Sequence, residues 1–186
     1  MSRALWVLIE TAGSLLVTAC VLRAYAQAVR AHPRNPLVHF VVAVTDWLVR
    51  PLRRVLPSQG SVDWPSIAAA LLVAVLLAVA FVFFFAGPLA AVGRVPDFGA
   101  VVLLAVGWTI RWSLYALMGL VLLQAVLSWV NPDAPLAPAV DQLTRPFMAP
   151  IRKRLPLVGG FDLSPLVLFV VIQVLLALID PIALAF

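Results

Sequence analysis

Charged side chains are scarce in this chain. Asp, Glu, Lys and Arg make up 11% of its 186 residues, against 64% hydrophobic, whereas soluble domains carry about 25% charged residues. Three long stretches, residues 66–93, 113–132 and 163–179, hold no charge at all. That excludes a water-soluble fold. A helix of about 20 apolar residues crosses a hydrocarbon core of roughly 30 Å and satisfies its own backbone groups there. The single cysteine, Cys20, excludes an internal disulfide, and two histidines leave no His/Cys cluster for a metal. His32 and His39 read as solvated or interfacial groups. The sequence has no Ser-His-Asp set, no HExxH and no phosphate loop. Neither an enzyme, a cofactor nor a nucleic-acid partner is expected.

What the chain does have is a copy of itself. Shifted by 99 residues, Pro33–Asp63 lies over Pro132–Asp162 without a gap, and 11 of the 31 positions are identical. The matches include Thr45/Thr144, Pro51/Pro150, Arg53/Arg152, Pro57/Pro156, Gly60/Gly159 and Asp63/Asp162. Val75–Ala78 recurs as Val174–Ala177. A duplicated loop rich in Pro, Arg, Gly and Asp between apolar runs implies two copies of one membrane unit, divided as residues 1–95 and 96–186.

The expected fold is an all-α integral membrane protein of about four transmembrane helices in two tandem parallel repeats, each helix, amphipathic loop helix, helix. The spans are placed near Leu5–Arg30, Ser66–Val92, Trp108–Val130 and Pro165–Leu184. Trp108, Trp112 and Trp129 bracket the third as interfacial anchors would. The first span has signal-peptide traits in Arg3 and Ala24-Tyr25-Ala26. Glu10, Arg23 and its repeat partner at 113–129 favour a retained helix. Asp97–Ile110 is ambiguous, apolar but short. Nine of the 13 Lys and Arg residues lie in the two long loops, and the positive-inside tendency puts both loops on the cytoplasmic side, which four crossings allow and five do not.

Each loop carries a short amphipathic segment. Leu37, Phe40, Val41, Val44 and Leu48 make one stripe, opposite His39, Asp46 and Arg50. Leu136, Val140, Leu143 and Phe147 make the other, with Asp141 and Arg145 opposite at i, i+4. Such segments either lie in the membrane plane or pack on the protein's own cytoplasmic ends. Both are expected to end at a proline, Pro51 or Pro150. Basic turns follow: Arg53 and Arg54 in one copy, Arg152, Lys153 and Arg154 in the other. These are the candidate lipid- or partner-binding residues, since Lys and Arg beside a membrane helix attract anionic headgroups at about 1 kcal/mol each. Pro51, Pro57, Gly60, Asp63, Pro150, Pro156, Gly159, Gly160 and Asp162 are read as a shaped structural turn, in which Arg53 pairs with Asp63 and Arg152 with Asp162. Ser164 before Pro165 reads as a helix cap. Glu10 and Arg111 fall at similar depth inside the apolar runs and form a possible intramembrane pair.

These residues carry a resemblance. Asn35-Pro36-Leu37-Val38, Pro51 to Pro57, Gly60 and Asp63, and above all Leu127-Ser128-Trp129, Arg145 to Pro156 and Gly159 to Pro165, resemble the YggT family of small bacterial membrane proteins. The first copy departs from the pattern, with Val29-Arg30 where the second has Ser128-Trp129, and Ser61 for Gly160. The resemblance implies a multi-pass protein of the bacterial inner membrane. Relatives are linked to cell division and envelope organisation, to cofactor assembly on thylakoid membranes, and to ion or osmolyte handling. The expected role is a non-enzymatic scaffold or assembly factor whose turns bind anionic headgroups or a protein partner, a homo-oligomer included. The alternative is a small oligomeric channel or solute-handling protein.

Overall fold

A computed structural model describes residues 2–32, 34–57, 60–91, 93, 97–131, 133–154 and 162–184, and all its regular elements there are helices. They are α1 (Ser2–Ala28), α2 (Pro36–Leu52), α3 (Trp64–Ala91), α4 (Phe98–Val130), α5 (Ala137–Arg152) and α6 (Ser164–Leu184). Arg3–Ala28, Trp64–Phe85 and Phe98–Val130 are long and apolar enough to cross a membrane, and Ser164–Ile179 is a shorter apolar helix. Pro156, Gly159 and Gly160, expected in the second turn, lie outside the described residues.

The ambiguous Asp97–Ile110 segment is the first part of α4. Asp97 caps it, its Oδ1 accepting the Ala100 N–H at 2.7 Å, and the 33-residue helix runs unbroken through Gly107. At 1.5 Å per residue it is about 50 Å long. The earlier start corrects the reading of Trp108 and Trp112. Trp108 sits a third of the way along α4 and Trp112 nearly half, so they do not bracket its start, and they join a ring cluster with Trp6 and Phe81. Trp6–Trp108 centroids are 6.4 Å apart, Phe81–Trp108 5.7 Å and Trp108–Trp112 5.6 Å.

Helices α1, α2 and α3 contact one another, as do α4, α5 and α6. Contacts of α4 with α1 and α3, and of α2 with α5, join the two groups. Small residues let the long helices approach closely, as they must when lipid supplies no hydrophobic drive between helices. Cys20, Ala69, Ala70, Ala74, Ala78 and Ala105 are buried between α1, α3 and α4. Gly13 marks the tightest point, where a Cβ would stand 2.5 Å from a Leu77 methyl. The other core, Val121, Met148, Leu168, Ile172 and Leu176, uses larger side chains.

The short helices differ from expectation in two respects. Neither stops at its proline: α2 runs one residue past Pro51, and α5 contains both Pro146 and Pro150. A proline in the last turn removes a single N–H, and the chain closes the turn with later donors such as Arg53 N–H to Val49 O at 3.0 Å. The face of α2 turned to the protein is Val41, Thr45 and Val49, which leaves Phe40, Val44 and Trp47 exposed. Thus α2 packs on the bundle with one side and presents a second apolar side outward.

The close approach at Gly13 gives a test. Gly13→Val should destabilise the detergent-solubilised protein by about 1–3 kcal/mol through overpacking. Gly119→Ala, with open space around its Cβ, should keep or slightly raise the thermal midpoint.

Candidate functional site

The first elbow is built around a buried carboxylate. Asp63 opens α3, its carbonyl accepting the Ser66 and Ile67 N–H groups at 3.1 Å. Its side chain is 0% exposed and lies where α1, α2 and α3 converge. Oδ2 accepts Ser66 Oγ–H at 2.6 Å and Arg53 Nη2–H at 3.1 Å. Arg23 of α1, 5% exposed, brings its Nε to 3.9 Å of the same oxygen, an ion-pair distance. Arg23 also donates to Thr45 Oγ1 at 3.0 Å and to Asp46 at 3.2 Å, and Arg50 approaches Asp46 to 3.7 Å. A buried guanidinium is thus faced by two carboxylates and a hydroxyl, as desolvated charge requires. Gly60 takes φ 64°, the left-handed turn that lets the chain reach Asp63 from the end of α2.

The second elbow repeats the plan with different side chains. Thr144, like Thr45, hydrogen-bonds the carbonyl four residues back. It also donates to Oε1 of Gln124 on α4, whose Nε2 donates to Asp141 Oδ1 at 2.9 Å. Arg152 bridges Asp162 at 2.7 Å and Asp141 at 3.3 Å, so Asp141 turns to Arg152 rather than to Arg145. The cap on α6 comes from Asp162, whose Oδ1 accepts the Ser164 N–H at 2.9 Å. Burial alone would raise the Asp162 carboxyl, but hydrogen bonds from Ser164 and Arg152 outweigh it and hold the group below its ordinary value of 3.8. Burial alone would likewise lower Arg152, and the two carboxylates raise it instead.

The two elbows touch. Asn35 is 5% exposed. Its Oδ1 caps α2 by accepting from Leu37 and Val38, while its Nδ2 donates to Ala139 O at 3.0 Å and Gln142 Oε1 at 3.1 Å on α5. Tyr25 donates its hydroxyl to Leu143 O at 2.6 Å and stacks on Phe147 at 5.7 Å. Both short helices therefore sit at one end of the bundle.

The candidate basic residues divide by environment. All five are exposed, but Arg53 and Arg152 are held in ion pairs with Asp63 and with Asp141 and Asp162, whereas no ion pair of Arg54, Lys153 or Arg154 occurs among the described residues. Exposed Val55 and Leu56 adjoin Arg54; Pro57 is exposed on the first turn, and Pro51 and Pro150 are exposed in the last turns of α2 and α5. Glu10 and Arg111 share a cavity of about 500 Å³ with Trp108, Trp112 and Tyr115. No ion pair between the two occurs among the described residues; Arg111 lies 5.6 Å from the Tyr115 ring centroid. No group of three or more His, Cys, Asp or Glu is placed to hold a metal among the described residues. Sequence reasoning missed Arg23, Asn35 and the threonines as network members. Arg23, an ionisable residue within an apolar run, was the available signal.

The sequence profile of the CCB3/YggT family matches residues 2–84 and 90–183. The chain belongs to the CCB3/YggT family. An uncharacterized protein of Vibrio alginolyticus is 35% identical to it over 89% of this chain and 88% of its own length. The uncharacterized YggT protein of Escherichia coli K12 is 32% identical over 90% of this chain and 85% of its own. An uncharacterized Pseudomonas aeruginosa protein is also 32% identical, over 90% and 84%. No solved structure matches the chain. Family membership and three long apolar helices make this YggT-family chain a helical membrane protein.

The two aspartates should respond differently to removal. Asp63→Ala takes one of two carboxylates from buried Arg23 and the acceptor from Ser66 and Arg53, and should cost about 3 kcal/mol. Asp162→Ala, at a partly exposed pair, should cost about 1 kcal/mol or less. Reversible unfolding in mixed micelles measures both. Because the Asp162 pKa is depressed, the stability it contributes is present above pH 3.8 and lost as pH falls through its lower folded value. Asp162→Asn should lack that acid-dependent component.

Proposed function

We propose that this YggT-family chain is a non-enzymatic scaffold of the bacterial inner membrane. In this reading α1, α3, α4 and α6 cross, residues 1–95 and 96–186 form two tandem parallel units, and both elbows face the cytoplasm. The observation that carries it is the contact between α2 and α5 through Asn35 and Tyr25. That contact brings the two basic turns to one end. Positive charge gathered at one end of a helical membrane protein favours the cytoplasmic side.

The division among the basic residues supports a binding role with its own labour. Arg53 and Arg152 fix the shape of each elbow through Asp63 and Asp162. Arg54, Lys153 and Arg154 remain exposed for anionic headgroups or a protein partner. The outward Phe40, Val44 and Trp47 of α2 stand beside exposed Arg50, a pattern suited to the headgroup boundary.

The test compares the wild type with a triple variant, Arg54→Gln, Lys153→Gln and Arg154→Gln, in nanodiscs with and without phosphatidylglycerol. At about 1 kcal/mol for each charge, the thermal stabilisation by phosphatidylglycerol should largely vanish in the variant. An unchanged lipid response, together with unchanged partner capture in mild detergent, would overturn the reading. Cysteines placed at Val55 and Lys153 should be labelled from the same side of the membrane.

A further inference from the structure

The two elbows are not electrically equivalent. At the first, Arg23 and Arg53 face Asp46 and Asp63, and Arg50 adds to the positive side. At the second, the residue that reaches the equivalent threonine from the long helix is neutral: Gln124 stands where the first elbow has Arg23. Among the described residues the cation facing Asp141 and Asp162 is Arg152 alone. One positive charge is missing, and so is the bulk of a guanidinium.

Beside Gln124 there is a cavity. It measures about 290 Å³ and is lined by Gln124, Ser128, Pro138, Asp141 and Arg152. Ser128 lies in the last turn of α4, whose C-terminal carbonyls carry the negative end of the helix dipole and favour a cation. The α5 wall is mixed, with the Asp141 carboxylate beside Arg152 and the positive end of the helix at its first turn. An isolated cation answers Asp141 and the end of α4 but leaves Arg152 and the start of α5 without an anion. An ammonium tethered to a phosphate matches both. On the next face of the same stretch of α4, an apolar groove of about 180 Å³ runs between α4 and α6, lined by Val121, Ala125, Trp129 and Phe169 among others. Its lining is hydrocarbon, and the helices that form it are apolar.

We propose that this cavity is a binding site for an aminophospholipid, a lipid whose headgroup carries a primary ammonium next to a phosphate. The ammonium donates to Asp141 beside Gln124 and supplies at the second elbow the positive charge that Arg23 supplies at the first. The acyl chains follow the groove between α4 and α6. The inference rests on the membrane-surface reading above but concerns a different group: the basic turns attract negative headgroups, and Asp141 selects an amine. An ammonium with three N–H donors satisfies Asp141, Ser128 and the remaining Gln124 lone pair, and a quaternary trimethylammonium offers no donor to any of them.

Native mass spectrometry of the full chain in mild detergent, titrated with phosphatidylethanolamine, phosphatidylcholine and phosphatidylglycerol of matched chains, tests it. Phosphatidylethanolamine should bind about tenfold tighter than phosphatidylcholine, the scale of one charge-assisted hydrogen bond. Asp141→Asn should reduce that preference about tenfold. Gln124→Arg supplies the missing charge from within. It should abolish the preference and raise the thermal midpoint, a gain that simple damage to the site would not produce. Equal binding of the two zwitterionic lipids to the wild type would overturn the proposal, as would a preference that survives Gln124→Arg. Free ethanolamine that displaces the lipid at equal concentration would overturn a lipid as the occupant. Loss of the ethanolamine preference with phosphatidylglycerol binding intact would sink this inference alone and leave the basic-turn reading standing.

Discussion

A carboxylate without access to water must be neutralised where it stands, and Asp63 is such a carboxylate. Its 0% exposed side chain meets Arg53 from the end of α2, Ser66 from α3 and Arg23 from α1. Three helices are thereby fixed to one point. The seating of α2 follows, because Arg23 also holds Thr45 and Asp46. The outward aim of Phe40, Val44 and Trp47 follows from that seating. A single desolvated charge therefore sets the rotation of the amphipathic helix, which the apolar pattern alone left undetermined.

The second elbow shows what happens when the deep cation is withdrawn. Arg152 is shared between Asp141 and Asp162, and Gln124 bonds a threonine and a carboxylate without contributing charge. The network keeps its shape but is more open: Asp162 is 20% exposed where Asp63 is 0% exposed. Buried ion pairs are weak evidence for stability and better evidence for a specified arrangement. The buried carboxylate thus belongs to the first elbow and the solvent-accessible one to the second. The resemblance points the same way, since the second copy keeps the fuller family motif.

Contact between the elbows makes them one surface. Asn35 does two jobs with one amide, capping α2 through its oxygen and binding α5 through its nitrogen. Fixing the helix start and the inter-helix contact through the same planar group couples the pose of α2 to that of α5. Exposed Arg54, Lys153 and Arg154 then stand on a platform that the internal pairs hold in place.

The sequence by itself determined the helical membrane class, the doubled Pro/Arg/Gly/Asp loop and the Arg53–Asp63 and Arg152–Asp162 pairs. Apolar run length and residue spacing are local properties, and both pairs span only ten residues. The tertiary structure decided the rest. It joined residues 97–110 to the third helix behind the Asp97 cap, gathered Trp108 and Trp112 into a ring cluster with Trp6 and Phe81, and put Val41, Thr45 and Val49 rather than Phe40 and Val44 against the bundle. It also brought Arg23 to Asp46 and Asp63, and Asn35 to α5 across more than 100 residues of chain. Those choices turn on which polar group is forced to find a partner once water is removed, and that is fixed only when the helices have met.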